Sequence, residues 1–430
     1  LMGRRPDREK EQFSTFSHIY ATSVVFLVVQ SMSERKRVCH IKSDPEIKGE
    51  VISLYKKSRR KRNAPIIYHA IVEMPLLLPS AVFQWSTGPV EQVQEGSSHD
   101  CLVATTIGKN HILRFTQIIL NENANDGKKL RFKKKCDIRF KQAVQIAKYM
   151  PQDARILALG TNLFDAVLRL NESDQASGEV SKLQSAIPAG SGGKSLSWNK
   201  IKAGLLITVF SNGAISLYDI EHGVKNDSTV PSIENYKVCL INEIHWHPKL
   251  ESIFGGAGKN GNICIWDRRI KASKFLVHNF STHVGNEVSS FSFNCFNENI
   301  LASGSDDKSV KLWDLRKTGR PLHIYFPGNA PRKLMWCPRN EVMLGCAFQK
   351  NGLHIYDVNA IGQEIVGNDP LFVHSGYKNN LLDFDWNSHL TWLLGGSNDR
   401  GIISAWIPAK EIVNDEDVNI PDEELEPLDF

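Results

Sequence analysis

At 430 residues, with 41% hydrophobic positions, 23% charged positions and nine Trp, the chain carries enough apolar material for a large core and reads as a globular protein rather than a disordered or membrane one. Its net charge of +5 is unevenly placed, with KKSRRKR at 56–62 and KKLRFKKK at 128–135 set against NDEDVNIPDEELEPLD at 414–429, a segregation that suits charged partners or solvated tails. The eight Cys contain no C-x-x-C pair, so neither a zinc site nor a disulfide framework is expected, and a reducing compartment fits.

Residues 1–43 read as an N-terminal extension, expected to be disordered; the chain opens on Leu1 and has a second Met at Met32, so its first thirty or so residues read as upstream extension. The apolar run Val24 to Val29 is too short to cross a bilayer and is not flanked like a secretion signal, so no membrane contact is expected. A helix is predicted over 44–63, with Asp44 as N-cap, Pro45 in the first turn, and Ile47, Val51 and Leu54 on one stripe. Its end carries the cations Lys56, Lys57, Arg59, Arg60, Lys61 and Arg62, with no interleaved aromatic, so attraction to a phosphate backbone is expected rather than base reading. Ala64 precedes Pro65 and stops the helix. PIIYHAIVEM then reads as extended, fit to supply an outer strand that closes the last unit of a ring.

From there to residue 406 the chain repeats. An aromatic that begins one strand is followed twenty positions later by an aromatic that ends another: Trp198 and Tyr218, Trp246 and Trp266, Phe293 and Trp313, Trp336 and Tyr356, Trp386 and Trp406. A weaker copy starts from Tyr149, with Arg169 where the second aromatic is expected, and an earlier one runs from Trp85 to Phe115 with a ten-residue insertion, which makes seven. Spacings of 43 to 50 residues between copies, with a W-D or Y-D ending, are the signature of a WD40 blade of four short strands. Each blade has two faces that only its neighbours can cover, so the paired aromatics are expected at blade-to-blade contacts. In the fifth copy, His283, a Ser at 303 or 305, Asp306 or Asp307, and Trp313 form the polar set that ties such units together. Asn121 to Lys129, Asn171 to Lys194 and His222 to Asn235 read as loops.

No catalytic, cofactor or metal site is predicted. GSGGKS at 190–195 lacks the upstream Gly of a phosphate-binding loop and precedes a strand instead of a helix, so it reads as an inter-blade loop. His245 and His247 flank Trp246 inside the repeat and read as structural neighbours of the packed indole. Asp219, Asp267, Asp314 and Asp357 recur once per unit, which fits scaffold carboxylates, since an enzyme needs one site and not four.

Beyond the repeat, the strings PIIYHAI, LPSAVFQW, YMPQD, EIHWHPKLESIFG, LFVHSGY and WIPAKEIVNDED resemble the histone-binding WD40 family related to retinoblastoma-binding protein, over Pro65 to about Asp417. The resemblance implies an all-β seven-bladed WD40 propeller over 64–406 with an N-terminal helix and a short C-terminal helix, the latter opening an acidic tail over 407–430. It also implies a nuclear, non-catalytic chaperone or scaffold without cofactors, bound to core histones and to larger subunits of a chromatin complex. In that family the two helices and a loop of the last-but-one blade form a side groove for a histone helix. The matching positions here are Ile47, Val51, Leu54 and Tyr55 on the first helix, Glu364 and Asp369 in the loop, and Phe372 and Ile407 as further wall. On the ring top the family has acids where this chain has Ala143, Gly192, Asn242 and Ala330, and aromatics where it has Lys194 and Arg332; Glu287 remains. The alternative expectation is a WD40 scaffold whose basic runs make a weak contact with nucleic acid.

Overall fold

A computed structural model describes residues 68–409 apart from internal stretches at 77, 95, 108–109, 122, 125–128, 141, 162–164, 171–182, 188–192, 212, 221–224, 227–239, 271–275, 350–351, 363–368 and 375–379. The predicted helix with Ile47, Val51, Leu54, Tyr55 and the cations at 56–62 lies outside the described residues, as do Glu364, Gly192 and residues 410–430. Among the described residues the fold is all-β: seven antiparallel sheets, six of four strands and one of five, and a single 3-10 turn, Val358–Ala360. No helix among the described residues is long and apolar enough to cross a membrane.

Each sheet is one blade, numbered here in chain order of its innermost strand: Val82–Trp85, Val144–Met150, Gly193–Trp198, Ile241–Trp246, Val288–Phe293, Pro331–Trp336 and Leu381–Trp386. The seventh takes its outer strand from the other end of the chain. Tyr68–Pro75 pairs antiparallel with Ile402–Pro408, so the two ends of the repeat close the ring on one sheet, as PIIYHAIVEM predicted. That strand runs through Ile407 and Pro408, past the expected start of the C-terminal helix at 407.

The twenty-residue offset has a simple geometric cause. Trp246 pairs with Phe254 and Phe254 with Trp266, so two rings flank one apolar residue in a single row across three strands. The same row recurs as Trp198, Leu206, Tyr218; Phe293, Leu301, Trp313; Trp336, Leu344, Tyr356; and Trp386, Leu394, Trp406. In each case the row packs on the strands of the preceding blade, and the seven apolar clusters among the described residues are the seven blade junctions. Two rows differ from the expected positions. In blade two Leu168, not Arg169, pairs opposite Leu157 in the row of Tyr149, and Arg169 turns to solvent. In blade one the row of Trp85 runs through Cys101 to Thr116, while Phe115 sits on the other face against blade two.

Two segments read as loops contain outer strands, Leu183–Ile187 and Lys225–Asn226. An edge strand has only one hydrogen-bonded neighbour and little buried surface, so the apolar alternation that marks inner strands is weak there. Blade one also adds the short strand Glu91–Val93 on a long hairpin, which accounts for the insertion.

Candidate functional site

A channel of about 720 Å³ runs down the axis, lined by the seven innermost strands. Each of these strands is a sheet edge, and its spare N–H groups need acceptors. The preceding blade supplies them. Ser195 and Ser197 Oγ accept from the N–H of Ile244 and Trp246, and Ser290 and Ser292 Oγ from Leu334 and Trp336. Gln84 accepts from Tyr149, Glu243 from Phe291, and Asp383 and Asp385 from Phe83 and Trp85. Indole Nε1 atoms add a second tie, with Trp85, Trp198, Trp336 and Trp386 donating to carbonyls of Asp385, Lys148, Ser292 and Met335.

Charge concentrates on this wall. Lys333 Nζ donates to Asp383 Oδ1 at 2.5 Å and to the Phe384 carbonyl at 2.8 Å. Burial opposes its charge, but Asp383 and Asp385 outweigh that and hold the ammonium above the usual lysine range. Burial raises the Asp385 carboxyl and, with Lys333 nearby, lowers Lys148. Glu243, although buried, is held below the usual carboxylate range by His245, 3.1 Å away, and by the Phe291 N–H. These groups were missed from sequence, yet they left a signal: polar residues at alternate positions just before the recurring aromatic, as in Ser195 and Ser197, or Asp383 and Asp385.

Where the inner strands end, the residue after the aromatic caps the following turn. Asn199, Asn294 and Asn387 each accept two turn N–H groups on Oδ1, and His247 does the same on Nδ1. Each then reaches the next blade: Asn199 to the Glu251 carbonyl, His247 to that of Glu298, Asn294 to that of Glu341, and Asn387 to His99. This geometry makes His247 structural. Asp267 and Asp314 grip Arg269 and Arg316, and Asp357 caps the 3-10 turn, so these three recurring carboxylates are scaffold parts.

The polar set of blade five resolves to Ser303 and Asp307. His283 Nδ1 meets Asp307 at 2.7 Å, its Nε2 meets Ser303 Oγ at 2.9 Å, and Trp313 Nε1 donates to the same Oγ at 2.9 Å. Burial lowers His283, and it lowers His247 and His99 as well, the last to about 4. The Asn387 amide is oriented by two N–H donors on its oxygen, so its nitrogen faces His99 Nδ1, which must stay unprotonated. A histidine depressed in the folded state leaves stability intact above the unfolded value near 6.5 and removes it as pH falls toward the folded value. For His99 alone the loss is about 2 kcal/mol at pH 5. Urea midpoints should therefore drop between pH 7.5 and 5, and His99→Gln should flatten that drop; an unchanged profile refutes the assignment.

At the end of the ring where inner strands begin, Glu287 is exposed but engaged: Asn242 Nδ2 lies 3.3 Å from it, Lys259 Nζ 3.9 Å, and Lys194 Nζ donates to Asn242. Arg332 is exposed on the same rim. The side-groove positions divide. Asp369 is exposed, Phe372 is buried with its ring 5.7 Å from Tyr68, and Ile407 is half-buried; Phe372 and Ile407 belong to one apolar cluster at the junction of blades six and seven.

A model of the WD domain, G-beta repeat, matches residues 274–314, which hold the His283, Ser303, Asp307 and Trp313 network of blade five.

Proposed function

We propose, on the premise that the chain is a WD40-repeat propeller and so a protein-interaction scaffold, that it serves as a non-catalytic histone-binding subunit of a nuclear chromatin assembly or modifying complex. The partner is a core-histone helix laid against the side of blade seven, with burial of its apolar face as the driving force. Support comes from half-buried Ile407, singled out for the groove and paired with the closing strand that begins at Tyr68; Phe372, also singled out, is buried in the same cluster and so supports the wall from behind. Ring-top binding of a cationic tail is not part of this reading, because Lys259 lies beside the one retained acid, Glu287, Lys194 holds the Asn242 that reaches it, and Arg332 adds a further exposed cation on the rim.

Val51→Glu and Ile407→Glu should each abolish histone pulldown while circular dichroism and melting show an intact ring. Undiminished capture by both folded variants would sink the groove. A second reading, a scaffold whose surface contacts nucleic acid, is favoured by the exposed Arg131, Lys133, Lys134, Lys135 and Arg139 on one strand. A steep fall of DNA affinity with salt, together with no histone capture, would select it.

A further inference from the structure

The inner strands follow one rule at the channel, and one junction breaks it. Residues one and three positions before the recurring aromatic accept edge N–H groups of the next blade: Ser195 and Ser197 for blade four, Ser290 and Ser292 for blade six, Asp383 and Asp385 for blade one. Gln84 and Glu243 do so for blades two and five. In blade two these positions hold Ile146 and Lys148, and neither side chain has an acceptor to offer. Blade three pairs in the same register as blade four, so the N–H groups of buried Leu196 and Trp198 stand on the channel edge as those of Ile244 and Trp246 do. Among the described residues neither finds an acceptor, whereas every other junction meets at least one of its two. Buried backbone donors are seldom left unmatched.

Lys148 adds an unmatched charge at the same place. Its half-buried side chain lines the channel, and Nζ makes no hydrogen bond or ion pair among the described residues. The Trp198 indole donates to the Lys148 carbonyl at 2.9 Å, which ties the two residues together across the junction. Burial and the Lys333 charge push Lys148 below the usual lysine range, while Asp383, Asp385 and Glu243 act against that without contact. Asp383 is already engaged by Lys333, and Glu243 by His245. The junction of blades six and seven shows how such a set is completed. There the accepting position again holds a cation, Lys333, and one oxygen of Asp383 bonds both its Nζ and the edge N–H of Phe384, the latter at 3.0 Å. A single carboxylate thus joins an ammonium to an edge N–H. The matching residue of blade three is Ser195, whose Oγ accepts from Ile244, so no carboxylate of the protein fills that place.

We propose that a small oxyanion, a carboxylate or phosphate group, binds on the channel wall between blades two and three, held by Lys148 Nζ and the N–H groups of Leu196 and Trp198. Three donors with no acceptor among them select an acceptor-only ligand, and a channel of about 720 Å³ is in the range of small-molecule sites. The site faces the axis and is independent of the side groove. In chloride-free buffer, calorimetric titration with inorganic phosphate and with acetate should give one site for at least one of them, with a dissociation constant of about 1 mM or tighter; the tighter of the two identifies the class of anion. Lys148→Met should weaken that binding about tenfold or more, while Lys194→Ala and Lys200→Ala, elsewhere on the channel lining, should leave it unchanged. Lys148→Gln copies Gln84 and gives the Trp198 N–H an acceptor, so it should lose the anion and yet melt, in anion-free buffer, no lower than the unaltered protein. No binding of either anion, binding that survives Lys148→Met or is lost with Lys194 or Lys200, or a lower melting temperature for Lys148→Gln would each overturn the site.

Discussion

Asp383→Ala should lower the unfolding free energy by about 3–5 kcal/mol, the largest loss expected from a single polar side chain in this ring. One Asp383 oxygen holds Lys333 and the other accepts the N–H of Phe83 at 2.9 Å. Alanine strands both: a cation on the channel wall and an orphaned edge N–H at the junction where blade seven meets blade one. Lys333→Met alone should cost less, because methionine refills the space without a charge. Combined with Asp383→Ala it should recover part of the loss, so a double-mutant cycle from chemical denaturation should give a coupling of about 1–3 kcal/mol. A coupling near zero would mean that Asp385, whose charge also acts on Lys333, carries the contact.

Gly395→Ala should destabilise by about 2–3 kcal/mol, although it adds one methyl group in a strand. A Cβ there would stand 2.1 Å and 2.3 Å from ring atoms of Phe83, at the same closing junction. Blades four and six use the same device, with Gly255 under Phe293 and Phe291 and Gly345 under Phe384. Shrinking the ring makes room, so Phe83→Leu with Gly395→Ala should lose less than the sum of the two single changes. The control is Gly319→Ala, which meets nothing within 4 Å and should be neutral or slightly stabilising. Equal behaviour at 319 and 395 would refute the steric account.

The repeat was legible because its signal is short-range and periodic. A row of Trp, apolar residue and Trp across three hairpin-linked strands fixes a constant offset, since the hairpin between the first two strands and the turn to the third vary little in length. Where the strands differ, as in blades one and two, the offset misdirected attention to Phe115 and Arg169 in place of Thr116 and Leu168. Of the proposed groove, sequence pointed to Phe372 and Ile407, and the fold unites them; Ile47, Val51, Leu54, Tyr55 and Glu364 lie outside the described residues.

By itself the sequence determined the number of blades, their order, the strand that closes the ring, and the four members of the blade-five network to within one choice each for serine and aspartate. It did so because apolar rows and turn residues are set by neighbours a few positions away. Only the tertiary structure decided which polar side chains cap the next blade's free edge, which glycines make room for which rings, and that three lysines emerge together at a bulge. Those features depend on residues that are 40 to 300 positions apart yet in contact, and on a one-residue slip in pairing that no single strand records.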